Sequence, residues 1–450
     1  MPASRHYRIA YSGGMDSHVL LAAMASLREE REDVPRGSQI SAIHINHNLQ
    51  PDANRWARHA RAVCEGLAIP CEIISVDARP APGESPEAIA RRARYRALKT
   101  FVGPDEILLA AHHRDDQAET VLLQLFRGAG PRGLAAMPAI TRFGSGFLAR
   151  PLLDIPRDRL REYAKERGLA WIEDASNRDQ RFDRNYLRHR IIPALQARWP
   201  AIAHTLGRAA AHQADAARQL AEQAGKDLEE LQTHAPSGGE ESLEAPIPVP
   251  LSCRELQRLP EYRRRNALTG WFRRLGLPAP NAVHLERVLH DVIQARPDAE
   301  PRVSWNGAEV RRYRDGLHAG RPLPPHDPAR VIPWPLTEPL TLPHLRLEAR
   351  RAVGKGIRTA ACPGNRVEVR FRQGGERYRT AGGHTHALKK LLQERGIPPW
   401  ERARIPLIFV AGELVAVGTL WVCHPFRAGE GEEGWILRAA IPLRDGLRED

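Results

Sequence analysis

Residues 11–17 read Tyr-Ser-Gly-Gly-Met-Asp-Ser and constrain the fold more than any other stretch of the chain. Tyr7 to Ala10, just before them, reads as a buried strand. Ser17 to Leu27, just after, carries apolar residues at helical spacing, with Ser17 placed to cap the helix. A strand, a glycine pair and a helix start in that order make an anion cradle. Glycine lets backbone amides approach a phosphate without a Cβ in the way, and the helix N-terminus adds partial positive charge. Asp16 narrows the ligand further: a carboxylate among phosphates repels them unless a divalent cation bridges the two. The expected ligand is therefore magnesium-bound nucleotide. A plain glycine turn would need neither the two serines nor the aspartate.

The loop lacks the lysine-ending pattern of P-loop NTPases and the glycine spacing of dinucleotide folds. It resembles Ser-Gly-Gly-x-Asp-Ser, the pyrophosphate loop of ATP pyrophosphatases, which adenylate an oxygen and release pyrophosphate.

At 450 residues, the chain has room for two or three domains. No apolar run reaches the roughly 18 to 20 residues that span a bilayer, and no apolar signal-peptide core precedes the loop. A cytoplasmic protein without membrane contact is expected. The net charge of +13 points to a polyanion, nucleic acid first, or else to a generally arginine-rich composition. The 5 cysteines show no redox or zinc spacing and read as reduced packing residues.

From residue 1 to about 200, strands alternate with helices, which implies a parallel sheet covered on both faces. Strands are expected at Ile40–Ile45, Cys71–Val76, Ile107–Ala111 and, briefly, Ala170–Glu173; helices at Asn54–Leu67 and Glu87–Phe101. Ligands of such sheets sit beyond the strands' carboxyl ends. The loop, the turn from His44 to Asn48 and the turn after Ala111 share that edge. The last reads His112-His113-Arg114-Asp115-Asp116-Gln117-Ala118-Glu119-Thr120, and helical spacing puts Asp116 or Asp115 on one face with Glu119. Clustered carboxylates want a cation, either magnesium on ATP or a substrate ammonium; the plainer alternative is an acidic first turn serving the helix dipole. Arg127 to Gly133 reads as a mobile basic loop, and a helix is expected from Pro156. Arg184-Asn185-Tyr186-Leu187-Arg188-His189-Arg190 is too polar for core and suits phosphate contact or a solvated helix start.

His-x-x-Asp-Asp-Gln-Ala-Glu-Thr, Arg150-Pro151-Leu152-Leu153, Asp174-x-Ser176-Asn177 and Arg184-Asn185-x-x-Arg188, in this order behind the loop, resemble tRNA(Ile)-lysidine synthetases from about Arg8 to Leu195. Asn48 stands where similar sequences carry glycine, a position asparagine tolerates in left-handed backbone. The resemblance implies a Rossmann-like ATP pyrophosphatase domain (1–200), a mainly helical middle domain (201–320) and a small α+β C-terminal domain (336–450). It implies ATP with Mg2+ on Ser12, Gly13, Gly14, Met15, Asp16, Ser17 and His44, the metal on Asp16. Free L-lysine would sit at Asp116 and Glu119, and Asp16, Asp116, Glu119 and Arg188 would carry the chemistry. The partner would be isoleucine tRNA with a CAU anticodon, contacted by Arg127, Arg132, Arg264, Arg265, Lys389 and Lys390. A homodimer is compatible with this scheme.

Beyond residue 200, Ala201–Leu231 reads as a long helix and 236–250 as a linker. An arginine-rich unit follows to about Leu317, with Arg263, Arg273 and Arg274 as further candidates for RNA contact. A proline-rich linker, Arg321 to Pro343, leads to strand-like segments at Arg366–Phe371, Leu407–Val410 and Leu414–Val422. Arg402 and Arg404 are also expected to face RNA. Two rival readings remain: a tRNA thiolase sharing the ATP loop, against which the absence of a cysteine pair counts, and a catalytically silent RNA-binding relative.

Overall fold

A computed structural model describes residues 4–30, 37–46, 53–77, 86–173, 179–232, 250–296, 299–380 and 383–440. His47, Asn48, the Asp174–Asn177 motif and residues 236–249 of the linker lie outside the described residues. The chain divides into two units, Met1–Gln219 and Leu220–Asp450.

The first unit follows the alternation in the sequence: β1 (His6–Ala10), α1 (Met15–Glu30), β2 (Gln39–Asn46), α2 (Ala53–Gly66), β3 (Cys71–Ser75), α3 (Pro86–Thr100), β4 (Glu106–Leu109) and α4 (Arg114–Phe126). A short α5 (Pro131–Leu134) and the strands β5 (Ile140–Phe143) and β6 (Gly146–Ala149) come next. The sheet runs β3-β2-β1-β4-β6-β5, parallel except for β5 at the edge. Successive residues of a strand face opposite sides. Ile107 and Leu109 join Tyr7, Ile9, Leu20 and Met24 in one core, while Leu108 joins Ile43, Leu98 and Phe143 in the other. The unit closes with α6 (Arg157–Glu166), α7 (Asp183–Tyr186), a π-helical turn at Leu187–Ile191, α8 (Ile192–Arg198) and α9 (Ile202–Gln232), which runs on into the second unit.

Three expectations need correction here. The helix after the loop begins at Met15, so Ser17 sits inside the first turn and is not its cap. Residues 170–173 form no strand; their polar backbone turns to the loop instead, Ile172 N–H donating to Gly13 O at 3.0 Å. The glycine-rich stretch after Phe126 is a hydrogen-bonded structure rather than a loose loop. Ala129 N–H donates to Gln124 O and Gly128 N–H to Leu125 O, each at 3.0 Å, with Gly128 in left-handed backbone at φ 67°. This pairing closes the last turn of α4.

The second unit opens with β7 (Leu251–Ser252), α10 (Cys253–Arg258), α11 (Glu261–Arg274), α12 (Ala282–Arg287) and a π turn at Val288–Val292. These helices lie with a four-stranded antiparallel sheet, β7-β10-β9-β8, made with β8 (Arg302–Trp305), β9 (Ala308–Tyr313) and β10 (Gly316–Gly320). Their core holds Trp271, Phe272 and Trp305. The proline-rich stretch that follows is part of the last fold, since β11 (Ile332–Pro335) and β12 (Leu340–Thr341) lie within it. Pro333 and Pro335 are tolerated because β11 is an edge strand, paired only with Arg366–Arg370. Two antiparallel sheets, of five and four strands, share a core of Trp334, Leu347, Val369, Ile408 and Trp435.

The β5–β6 hairpin is tight enough to test. A Cβ on Gly146 would lie 2.6 Å from Gly103 O and closer still to Glu106 O, both fixed backbone atoms. Gly146→Ala should therefore lower the stability of the first unit by about 1–3 kcal/mol, read from urea denaturation.

Candidate active site

The loop is built by its own serines. Ser17 Oγ donates to Gly14 O (2.9 Å) and lies 3.0 Å from Ser12 Oγ, while Ser12 N–H donates to Ser17 Oγ (3.2 Å). Gly13 takes φ 85°, which a side chain would strain. Met15 is buried against Val19, Leu160 and Ala164, so only its backbone can face a ligand. The first-turn amides of α1 have no carbonyl one turn back to bond. His44 lies behind the loop: buried, it donates Nδ1–H to Tyr11 O at 3.0 Å. Burial keeps it neutral, outweighing the Tyr11 carbonyl that favours its proton.

The acidic turn is capped by a histidine that sequence reasoning passed over. His113 N–H donates to Asp116 Oδ2 (3.0 Å), and the Asp116 amide points back to His113 Nδ1 at 3.4 Å. This is a capping box with histidine in the serine's place. His113 Nε2 lies 3.3 Å from Asp116 Oδ2 and 3.6 Å from Asp16 Oδ2, so one buried ring spans the loop and the acidic turn. Burial, the largest influence, disfavours its imidazolium, but Asp16, Asp116 and Asp115 together outweigh burial and raise its pKa. Its neighbour His112 behaves oppositely: burial pushes its pKa down to about 3, with Arg150, Arg184 and Arg91 adding to the effect against Asp116.

Asp116 and Glu119 share a face as the spacing predicts, and Glu119 is only 1% exposed. The cations beside them are internal. Arg184 donates Nε–H to Glu119 Oε2 (2.6 Å) and Nη2–H to Asp116 Oδ1 (3.0 Å). Arg188 donates Nε–H to Glu119 Oε1 (2.6 Å), and its Nη2 reaches Asp116 Oδ1 and Glu119 Oε2, both at 3.0 Å. Burial would push Asp116's carboxyl up, but His113, Arg184 and the His113 amide hold it below its ordinary range. Arg184 stands one helical turn before Arg188 in the sequence, but nothing there paired it with the acids. The asparagine between them anchors the turn before α7, Asn185 Nδ2–H donating to Asp179 O at 2.9 Å. Asp115 faces elsewhere and accepts from Arg157 N–H (3.0 Å) at the start of α6.

Asp16 differs from the acid pair. Its Oδ1 is buried without a hydrogen-bond partner, with Arg157 Nε 3.8 Å away. An orphaned carboxylate oxygen beside a phosphate cradle fits a hard divalent cation. Among the described residues, no group of three or more His, Cys, Asp or Glu side chains forms a metal cage.

The chain has close full-length relatives. It is 43% identical to the tRNA(Ile)-lysidine synthase of Methylococcus capsulatus over 93% of each chain. It is 42% identical to that of Coxiella burnetii over 98% of this chain and 95% of that one, and 43% identical to that of Alkalilimnicola ehrlichii over 96% and 93%. A PP-loop domain matches residues 2–195, a TilS substrate binding domain 251–318 and a TilS substrate C-terminal domain 367–439. The chain belongs to the tRNA(Ile)-lysidine synthase family.

Within this family member, the basic residues singled out by sequence are of two kinds. Arg127, Arg132, Lys389 and Lys390 are exposed. Arg264 instead donates to the carbonyls of Leu256, Gln257 and Leu259, closing the end of α10, and Arg265 pairs with Glu261 and Glu286. Arg263 pairs with the fully buried Asp227. Arg402 is buried, bonded to Ile397 O and to Tyr313 Oη at 2.6 Å, and Arg404 reaches Pro324 O. The expectation that Arg402 faces RNA is corrected, since its buried guanidinium binds the protein's own oxygens, while Arg404 is half-buried and spends Nη2 on the Pro324 carbonyl.

The arginine–carboxylate cluster should behave as a unit. Arg184→Ala or Arg188→Ala alone leaves Glu119 one partner and should cost about 1–3 kcal/mol. The double variant should cost more than the sum, because two buried carboxylates would then face each other without a guanidinium. A double-mutant cycle by urea denaturation reads the difference.

Proposed function

We propose that this protein joins free L-lysine to C2 of the wobble cytidine of an isoleucine tRNA with a CAU anticodon, using ATP and releasing AMP and pyrophosphate. The observation that carries the proposal is the run of contacts from Asp16 through His113 to Asp116, Glu119, Arg184 and Arg188. It couples a phosphate cradle to a second charged site on the same sheet edge, as a reaction that adenylates one substrate and then admits another requires.

In the first step, the cytidine C2 oxygen bonds to the α-phosphorus of ATP and the bond to pyrophosphate breaks. Ser12, Gly13, Gly14, Met15 and Ser17 would hold the phosphates through backbone amides and hydroxyls. Asp16 would hold Mg2+, which neutralises phosphate charge when bound. His44 would act from behind by fixing the Tyr11 carbonyl. In the second step, the lysine ε-amine bonds to C2 and AMP leaves with the C2 oxygen. The amine must be neutral to attack, so one proton leaves it for a carboxylate or solvent. Asp116 and Glu119 suit the incoming ammonium by charge, although it must share them with Arg184 and Arg188. Arg188, near Asp16 as well, suits charge developing at the α-phosphate.

In this reading, residues 1–200 carry the chemistry, 201–320 recognise substrate and 336–450 hold tRNA, in the cytoplasm and as a monomer or homodimer. No described helix is long and apolar enough to cross a membrane. Arg127, Arg132, Lys389 and Lys390 are the phosphate contacts of first choice, while Arg264 and Arg265 would have to share guanidinium groups already engaged.

Pyrophosphate release that requires isoleucine tRNA, with AMP release and continued turnover that require lysine as well, is the expected activity. Pyrophosphate release without tRNA, sustained turnover without lysine, or sulfur transfer to tRNA would overturn the proposal. Asp16→Asn should abolish AMP formation while tRNA affinity stays within about twofold, because phosphate neutralisation acts mainly on the transition state. Lys389→Ala with Lys390→Ala should reduce the slope of log affinity against log salt by about 0.7–0.9 for each RNA phosphate that the pair neutralises. An unchanged slope in filter binding would remove the short helix Leu388–Glu394, which carries both lysines, from the RNA surface.

A further inference from the structure

Helix α4 carries one stripe with a polar end and an aromatic end. Asp116, Glu119, Leu123 and Phe126 follow one another at steps of three, four and three residues, so they lie along one face. Helix α7, the π turn and α8 cover the first part: Arg184 and Arg188 take the acids, and Leu187 and Ile192 pack at Leu122 and Leu123. Phe126 emerges beyond that cover with 67% of its surface exposed, beside Leu125 at 53%. Seven residues separate Glu119 from Phe126, about 10 Å along the axis. The hydrogen bonds of Gly128 and Ala129 fix the ring's end of the helix, and Gln117 pins the returning chain through both Met137 N–H and Met137 O. Arg127 and Arg132 are exposed on this same lobe.

A large exposed aromatic on a fixed helix end, flanked by arginines, is the combination that stacks unpaired bases and holds their phosphates. We propose that Phe126 is the stacking platform for a base of the anticodon loop that adjoins the target cytidine. The inference rests on the reading of the site as a tRNA wobble-base ligase. Its reach follows from that site: with the cytidine near Asp116 and Glu119, a neighbouring nucleotide of the same loop lies over the Phe126 end of the stripe. Stacking there pulls the loop open, positions the cytidine and makes Phe126 a positioning residue.

The test uses the full chain and isoleucine tRNA with 2-aminopurine placed, in turn, on either side of the cytidine. One of the two probes should be quenched on binding, the quench should disappear in Phe126→Ala, and Phe126→Trp should restore it. Phe126→Ala should raise the KM for tRNA roughly 5- to 100-fold, as expected when one base stack is removed, with kcat and the KM for ATP nearly unchanged. Its salt slope should equal that of the wild type, because an aromatic ring releases no counterions, whereas Arg127→Ala should give a shallower one. Quenching that persists in Phe126→Ala, or is absent at both positions, overturns the inference. So does a change in sedimentation without a change in tRNA affinity, which would mean that a second copy of the chain covers this face. Failure of the underlying reading is separately visible, as wild-type protein that releases no pyrophosphate with lysine and tRNA.

Discussion

Two carboxylates buried on one helix face repel each other, and their repulsion has to be answered before the first unit can hold its shape. Asp116 and Glu119 receive five guanidinium hydrogen bonds, two from Arg184 and three from Arg188. Those bonds tie α4 to a segment 65 to 72 residues further along the chain. The same acid turn reaches α1 through His113 and α6 through Asp115. One charge-balanced cluster therefore orients the three elements around the loop, and the apolar contact of Leu122 with Leu187 and Ile192 lies just beside it.

The π turn at Leu187–Ile191 contains Arg188. Such turns widen the helix by one residue and are found at functional sites more often than elsewhere. Here the widened turn lets one short segment do two jobs: Arg188 faces the acids while Leu187, next to it, is buried among apolar side chains.

How much of this was legible depends on the range of each interaction. The strand–loop–helix unit and the alternation of strands with helices rest on local spacing, and the sequence reading of β1 to β4 matches the structure to within a residue or two. The acid pair was legible for the same reason, since helical periodicity alone puts Asp116 beside Glu119. What the chain did not announce were partners distant in sequence. Arg184 and Arg188 read equally well as phosphate ligands or solvated residues until α7 is folded against α4. The β5–β6 hairpin escaped because its strands are four residues each, and Thr141 and Arg142 of β5 give that strand the look of a loop. Arg402 looked like RNA-facing charge because sequence shows a charge but not the carbonyl and hydroxyl oxygens that absorb it.

The charges around the loop bear on the role proposed for Asp16. Asp16, Asp115, Asp116 and Glu119 bring four negative charges within contact of Arg157, Arg184, Arg188 and His113. The aspartates raise the His113 pKa against burial, which moves the two sets toward balance. Among these groups every cation already faces a carboxylate, so a polyphosphate entering there gains little from them beyond the helix N-terminus, whose half-charge is far too small for it. Drawing Arg184 or Arg188 away would strip the counter-charge from a buried carboxylate, which costs several kcal/mol. The site therefore suits an anion that arrives with its own cation. Asp16 Oδ1, a buried carboxylate oxygen without a hydrogen-bond partner, is where such a cation would meet the protein.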